Sequence, residues 1–450
     1  MTVTGPDWPA LRATVAGEVL TADDPAYDDA RQPAIANFHD LRPQAVVRCA
    51  TQADVVETLG FAERFDVALR PRSGGHCFAG RSSTEGIVAD VSPMSSVADA
   101  GGVATVGAGS RLGPLYDSLA AHGVTIPAGC GSTVGIAGLA LGGGLGVLGR
   151  VYGLTSDRLV GAAAVLADGR LIRCDAEREA DLYWALRGAG GGRFGIVTSL
   201  DFATVPAPEM TTFHLTWRPA DAVAVADAWQ EWAPDAPDAI AASLLIRAEG
   251  DPTDPVTVNV FGATMGNTSD AAELLDELVV RTGADAATTD TRESPYPEGK
   301  RWLAERFPGE DGDLRLHSKS EFFERRLPDE AIARLVDGLV DGRQPGETRL
   351  LDFSPWGGAY ARTRPEATAF AHRDARFLLK HDVAVRPEQV AAARQWLRSS
   401  WAAAHPWSTG GVYPNFPDPE LDEWDVAYFG ENLDRLRRIK TAYDPDGRFG

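Results

Sequence analysis

Positive charge is scarce in this chain, and cysteine is scarcer. The 450 residues carry 43 Lys and Arg against 64 Asp and Glu, a formal net charge of −21 with His neutral. A field of that sign repels phosphodiester backbones and anionic headgroups, so neither nucleic acid nor a membrane surface is an expected partner. Four cysteines, Cys49, Cys77, Cys130 and Cys174, stand far apart without a C-x-x-C pair, which excludes a disulfide framework. Eight histidines show no H-x-x-x-H pairing, so no metal is expected. No apolar run reaches the ~18 residues of a spanning helix. The start, "MTVTGPDWPALRATV", has no basic region leading into an apolar one. A cytoplasmic location is the expectation. No glycine run closes with G-K-[ST], "GAGSRLG" (107–113) has the wrong spacing for G-x-G-x-x-G in a βαβ unit, and there is no G-x-S-x-G elbow. Walker, Rossmann and serine-hydrolase chemistry drop out.

Glycine and tryptophan are what the chain has instead. Many of its 47 glycines crowd between Gly101 and Gly195, an excess suited to turns and close backbone approaches. With 44% hydrophobic and 24% charged residues the composition is globular, and the length exceeds one typical core, which predicts two domains. The first half reads as short strands. "AVVRCA" (45–50) is one, followed by a helix that Thr51 is suited to cap. "VALRPR" is another, delivering the chain into "SGGH". A helix over "RLGPLYDSLAAHG" ends at Gly123, and Asp168-Gly169 turns a hairpin. Near residue 206 glycine thins and Trp217, Trp229 and Trp232 appear. From there helices such as "DEAIARLVDGLV" alternate with strands such as "RFLLKHDVAV", so 206–410 reads as a second domain.

Two segments carry chemistry. In "PAGCGSTVGIAGLALGGGLG" (127–146), successive bare N–H groups can cradle a pyrophosphate, with tight turns as the plain alternative. In "RSGGHC", the glycines give His76 access, and a neutral imidazole nitrogen is a competent nucleophile toward an electrophilic cofactor. A capped turn histidine is the plain alternative there.

Several motifs in register carry a resemblance. They are "RSGGH" after a strand, "TVGIAGLALGGGLG" followed by "RVYGLTSD", "DLYWALRGAGGGRFGIVT" and a final "YDPDGRF", with "SKSEFF", "PWGGAYAR", "AFAHRDARFLL" and "VYPNFPD" between them. The chain resembles the berberine-bridge-enzyme-like, FAD-linked oxidases of the vanillyl-alcohol-oxidase superfamily over nearly its whole length. That resemblance implies an α+β, two-domain, PCMH-type FAD-binding fold. Residues 1–205 with 411–450 would hold FAD, and 206–410 would lay an antiparallel sheet, covered by helices, over the flavin.

The same resemblance assigns the site. His76 would bond covalently to the 8α-methyl of FAD, with Arg72, Ser73, Gly74 and Gly75 as pyrophosphate donors and Cys77 packed beside them. Gly129, Ser132, Thr133, Gly135, Gly138 and Gly142 would close from the other side, and Gly195, Ile196 and Val197 would complete the cofactor site. Some family members add a cysteine link in C-P-T-V-G. Here Cys130 stands one position early, which favours a single histidyl link and leaves Cys130 as the alternative second one. Tyr413 would be the catalytic base, with His381 sharing or replacing it, while Tyr152 and Asn415 position. Trp302, Phe353, Trp356 and Tyr360 are aromatics available to a substrate pocket, each also explicable as core. The implied reaction is two-electron oxidation of an alcohol or amine carbon, with oxygen reduced to hydrogen peroxide, on a glycosyl group, alkaloid or polyketide-type metabolite. A flavin dehydrogenase with another acceptor and a non-catalytic drug binder stay as alternatives. Relatives continue a few residues past "RFG", so a truncated C-terminus is also an expectation.

Overall fold

The computed structural model describes residues 5–306 and 314–449. A four-stranded sheet runs in the order Glu18–Leu20, Ala45–Arg48, Ile87–Asp90, Leu69–Arg72. Its last three strands are parallel, which requires crossovers, and the helix Gln52–Arg64 supplies one. Thr51 caps that helix as expected: its hydroxyl accepts from the Asp54 N–H at 3.2 Å, and the Asp54 carboxylate accepts from the Thr51 N–H at 3.1 Å. Beside it an antiparallel five-stranded sheet runs Val97–Ala100, Val103–Gly107, Ile196–Ala203, Leu159–Val165, Leu171–Asp175. The last two strands form the hairpin expected at Asp168-Gly169. Both sheets feed one apolar core.

Residues 209–385 contribute a seven-stranded antiparallel sheet, in the order Thr288–Pro295, Glu209–Trp217, Thr257–Thr264, Ile240–Ala248, Thr348–Pro355, Phe377–Val385, Arg315–Phe323. Side chains alternate across a strand. Phe213 and Leu215, Leu244 and Ile246, Leu351 and Phe353, Phe377 and Leu379 therefore all enter a second core. Helices Ala222–Trp232, Asp329–Val340 and Val390–Ala404 cover that side. The first buries Val225, Ala226, Trp229 and Trp232 at three- and four-residue spacing, and the Trp229 indole donates to the Ala242 carbonyl at 2.8 Å.

The other side of this sheet turns toward the glycine-rich segments, and buried cations bolt the two together. Arg150 donates to the carbonyls of Pro234 (3.1 Å), Ala236 (2.6 Å) and Trp356. Arg373 grips Asp157 through both nitrogens at 2.8 Å. Lys300 donates to the carbonyls of Ala128 (2.9 Å) and Gly129 (2.7 Å). Buried charge is tolerated only when partnered in this way. No helix among the described residues is long and apolar enough to cross a membrane.

Candidate active site

Strand Leu69–Arg72 ends where its neighbours end, and the chain leaves the sheet into the SGGH loop. Arg72 anchors that departure. Its buried guanidinium donates to the carbonyls of Ala30 (2.9 Å) and Ser82 (3.0 Å) and to the Ser83 hydroxyl (3.2 Å), while the Ser73 hydroxyl donates to Ala108 O at 2.7 Å. With its ends fixed, the loop meets the second glycine segment backbone to backbone. A Cβ on Gly74 would fall on the Gly135 backbone, and one on Gly135 on that of Gly74, so only glycine permits the approach.

Together the two segments wall a cavity of about 440 Å³. Residues 72–77 form one side, Gly129, Cys130, Gly135 and Gly138 another. Gly195, Ile196 and Val197 close one end, while Tyr413 and Asn415 border the other with Phe78 and Phe416. Among the described residues, no protein group accepts a hydrogen bond from the N–H of Ser73, Gly74, Gly75, His76 or Cys77. Unsatisfied donors in a row beside a cavity are a cradle for an anionic group. The residues present thus fit a dinucleotide cofactor.

His76 Nε2 lies 3.0 Å from the Thr133 hydroxyl, which orients the ring at the cavity wall. Burial, aided by the charge of Arg111, pushes its pKa below the usual histidine value, so the ring is neutral at neutral pH. A neutral ring is the nucleophilic form. Cys130 also faces the cavity, but its thiol accepts from the buried Lys300 ammonium at 3.3 Å. All four cysteines are free.

Other expected site residues stand elsewhere. Thr133 acts through His76 rather than lining the cavity. Ser132 is exposed, its carbonyl accepting from Gly113 N–H at 2.9 Å. Gly142 lies beneath the Asn415 amide, and Tyr152 packs against the first core outside the cavity lining. Trp302 packs in the first core and Phe353 in the second. Trp356 and Tyr360 stack at 4.4 Å in a third cluster. None of these four lines the cavity, whose aromatic rim is Phe78, Tyr413 and Phe416.

Tyr413 is buried beside the cavity. Its hydroxyl accepts from Gly144 N–H (2.8 Å) and from the Asn415 amide (3.0 Å), which also donates to Leu139 O (2.9 Å). Burial pushes the phenol up to about 12, so it keeps its proton. With both acceptor positions filled, that proton is free to be donated.

His381 lies away from the cavity. On its strand it shares a face with Leu379 and Val383, and both of these enter the helix-covered core. There its Nδ1 meets Ser400 Oγ on the covering helix at 2.8 Å, and burial pushes it down to about 3. Period two turns its neighbours the other way. Lys380 reaches the cavity rim, its ammonium 4.6 Å from the Phe416 ring centre and 5.3 Å from that of Phe78. It pairs with Asp382 at 2.5 Å, which also accepts from the Ser318 hydroxyl at 2.5 Å. Asp352 stands in register with Lys380 on the next strand, its Oδ1 out of contact with solvent and unpartnered. Burial, with Asp382 nearby, outweighs Lys380 and pushes Asp352 up to about 6. Sequence reasoning passed over Asp352, Lys380 and Asp382. The apolar stripe Phe377, Leu379, Val383, Val385 was the signal that His381, in the stripe, points away from its two charged neighbours.

Residues 43–175 match the FAD binding domain family, and residues 412–450 match the family described as berberine and berberine like. An uncharacterized FAD-linked oxidoreductase of Bacillus subtilis, YgaK, is 32% identical over 97% of this chain and 96% of its own. (R)-6-hydroxynicotine oxidase of Paenarthrobacter nicotinovorans is 30% identical over 98% of this chain and 96% of its own. Among solved structures, Physcomitrella patens BBE-like 1 superposes with a TM-score of 0.88 at 25% identity, covering 100% of this chain and 98% of that one. With an unsatisfied backbone cradle, a fold shared along the whole chain and relatives that are FAD-linked, this chain belongs to the berberine bridge enzyme-like family of FAD-linked oxidoreductases.

Proposed function

We propose that this protein oxidises a CH–OH or CH–NH carbon of a small molecule, using FAD held covalently through His76. When bound, the flavin supplies the two-electron acceptor, reoxidised by dioxygen with release of hydrogen peroxide. The N–H groups of residues 73–77 would hold the cofactor's phosphates, and the neutral ring of His76 would be the attachment point. Lys300 keeps the Cys130 thiol occupied, in line with a single link.

One observation carries the catalytic assignment: a partly buried carboxylate, Asp352, with a pKa of about 6, on the side of the sheet that faces the cavity rim. A base is most effective when its pKa lies near the working pH. Asp352 takes the proton from the substrate hydroxyl or amine. Lys380, paired to Asp382, fixes the local charge and helps keep Asp352 ionised above its pKa. Tyr413 donates a hydrogen bond to orient the reacting group and does not act as the base. The polar row of Asp352, Lys380, Asp382 and Ser318 under an aromatic rim suits a substrate with one flat or apolar face and one hydroxyl or amine. The hydroxynicotine named for one relative is of that kind. The test is a peroxide-release screen over hydroxylated heterocycles, amines and oligosaccharides. Turnover of any of these that survives Asp352→Asn with its pH profile intact would overturn the base assignment. Flavin that leaves the denatured wild-type protein would overturn the covalent link.

A further inference from the structure

At one rim of the cofactor cavity, charge runs against the trend of the whole chain. Arg70, Arg81 and Arg193 converge with Gly191 and Gly192 on a small hollow, and Arg81 and both glycines also line the main cavity. The protein carries a net charge of −21, yet none of the three arginines forms an ion pair with a carboxylate among the described residues. Asp425, whose charge Arg193 feels, is held instead by Arg437 at 2.7 Å.

Their arrangement opposes like charges in a partly dry place. The Arg193 guanidinium carbon lies 4.9 Å from the ring centres of both Trp424 and Phe429, and Arg81 lies 6.0 Å from the same Trp424. Arg193 Nε is buried without a partner. Burial and the charge of Arg81 push Arg193 down to about 10. Lys440 adds a further cation behind them, donating to the Arg193 carbonyl at 2.6 Å although paired with Asp444. The Gly191, Gly192 and Arg193 N–H groups have no protein acceptor among the described residues, and Gly192 takes a φ of +69° that turns the backbone there.

Three guanidinium groups without an ion-paired carboxylate, two of them held over aromatic faces, beside bare N–H groups, cost free energy unless an anion joins them. Guanidinium forks match the tetrahedral oxygens of phosphate in two-point contacts. We propose that Arg70, Arg81 and Arg193, with the Gly191–Gly192 turn, form a phosphate-binding site that takes a phosphate monoester or a diphosphate group. The cofactor's own phosphates are placed at residues 73–77, so the group that this site takes comes from a separate molecule in solution. The site does not depend on the reaction proposed above.

The test uses the flavin-loaded protein in phosphate-free buffer, titrated with inorganic phosphate in a calorimeter. It also compares the flavin-to-protein absorbance ratios of purified wild type, Arg193→Gln and Arg81→Gln. Arg81 is exposed, so its variant serves if Arg193→Gln fails to fold. Arg364→Gln, at a remote exposed arginine paired with Glu366, is the control. Binding that weakens at least tenfold in the two variants, and not in the control, establishes the site as one for free phosphate. No binding to the loaded wild type, together with a severalfold lower flavin ratio in both variants, overturns the proposal and assigns these arginines to the cofactor instead. Phosphate binding unchanged in the variants, or no binding to the loaded wild type with unchanged flavin ratios, likewise overturns the proposal.

Discussion

Replacing Asp352 with asparagine changes one oxygen for one nitrogen and removes the charge. The carboxyl titrates at about 6, so in the wild type about a tenth of the sites are ionised at pH 5 and most at pH 7. A plot of kcat/KM should therefore rise about tenfold per pH unit below 6 and level off above it. Loss of a positioned base removes roughly 10²- to 10⁴-fold in rate, or about 3–5 kcal/mol of transition-state stabilisation. Asp352→Asn should fall by that factor at pH 7.5 and lose the ascending limb. Stability should move the opposite way. Burial raises the folded pKa above the unfolded value of about 3.9, so the unfolded chain binds fewer protons between pH 4 and 6. Native stability then falls as pH rises through that window, by about 3 kcal/mol at most, and stays lower above it. The asparagine variant should lack this fall and melt higher than wild type at pH 7. Melting midpoints from pH 4 to 8, measured beside the pH–rate profiles, check both. A variant that keeps the limb near pH 6, or whose midpoint follows wild type across the window, would refute the assignment of that pKa to Asp352.

His76→Ala should leave an acid-precipitated pellet colourless where the wild-type pellet is yellow, because the only neutral imidazole on the cradle is gone; visible absorbance of the pellet decides it. His381→Leu should leave the pH–rate limb near 6 in place while lowering the melting midpoint, since Ser400 loses its partner at a cost of about 1–2 kcal/mol. A loss of activity with unchanged stability would instead place His381 in the chemistry. Arg373→Met should destabilise by about 3–5 kcal/mol by leaving the buried Asp157 unpaired, read as a drop in the urea midpoint.

Much of the local structure was legible along the chain. Thr51 as a cap, the Asp168-Gly169 hairpin and the strand into SGGH are near-neighbour matters, and the structure has each of them. The glycine segments also marked out a close backbone approach beside a cavity, because bare N–H groups and absent side chains are properties of the residues themselves. Less was legible where an assignment depended on a face. In "LLKHDVAV" the alternation separates His381 from Lys380 and Asp382, but the direction of the cavity is set by the three helices that cover the other side. Trp302, Phe353 and Trp356 likewise went to cores because helices and sheets there needed filling, and the cavity took its aromatics from Phe78, Tyr413 and Phe416.

By itself the sequence determined the element order, the two glycine segments, the histidine between them and the family. These rest on short-range backbone preferences and on motifs read in order. Tertiary structure alone decided which residues meet. It brought Thr133 to His76, Lys300 to Cys130 and Asp352 to Lys380, and gathered Arg70, Arg81 and Arg193 around one hollow. Each of these meetings brings in a residue distant in the chain. Hydrogen bonds, charge and burial act through space, so only packing could set those distances and, with them, the protonation states on which the chemistry depends.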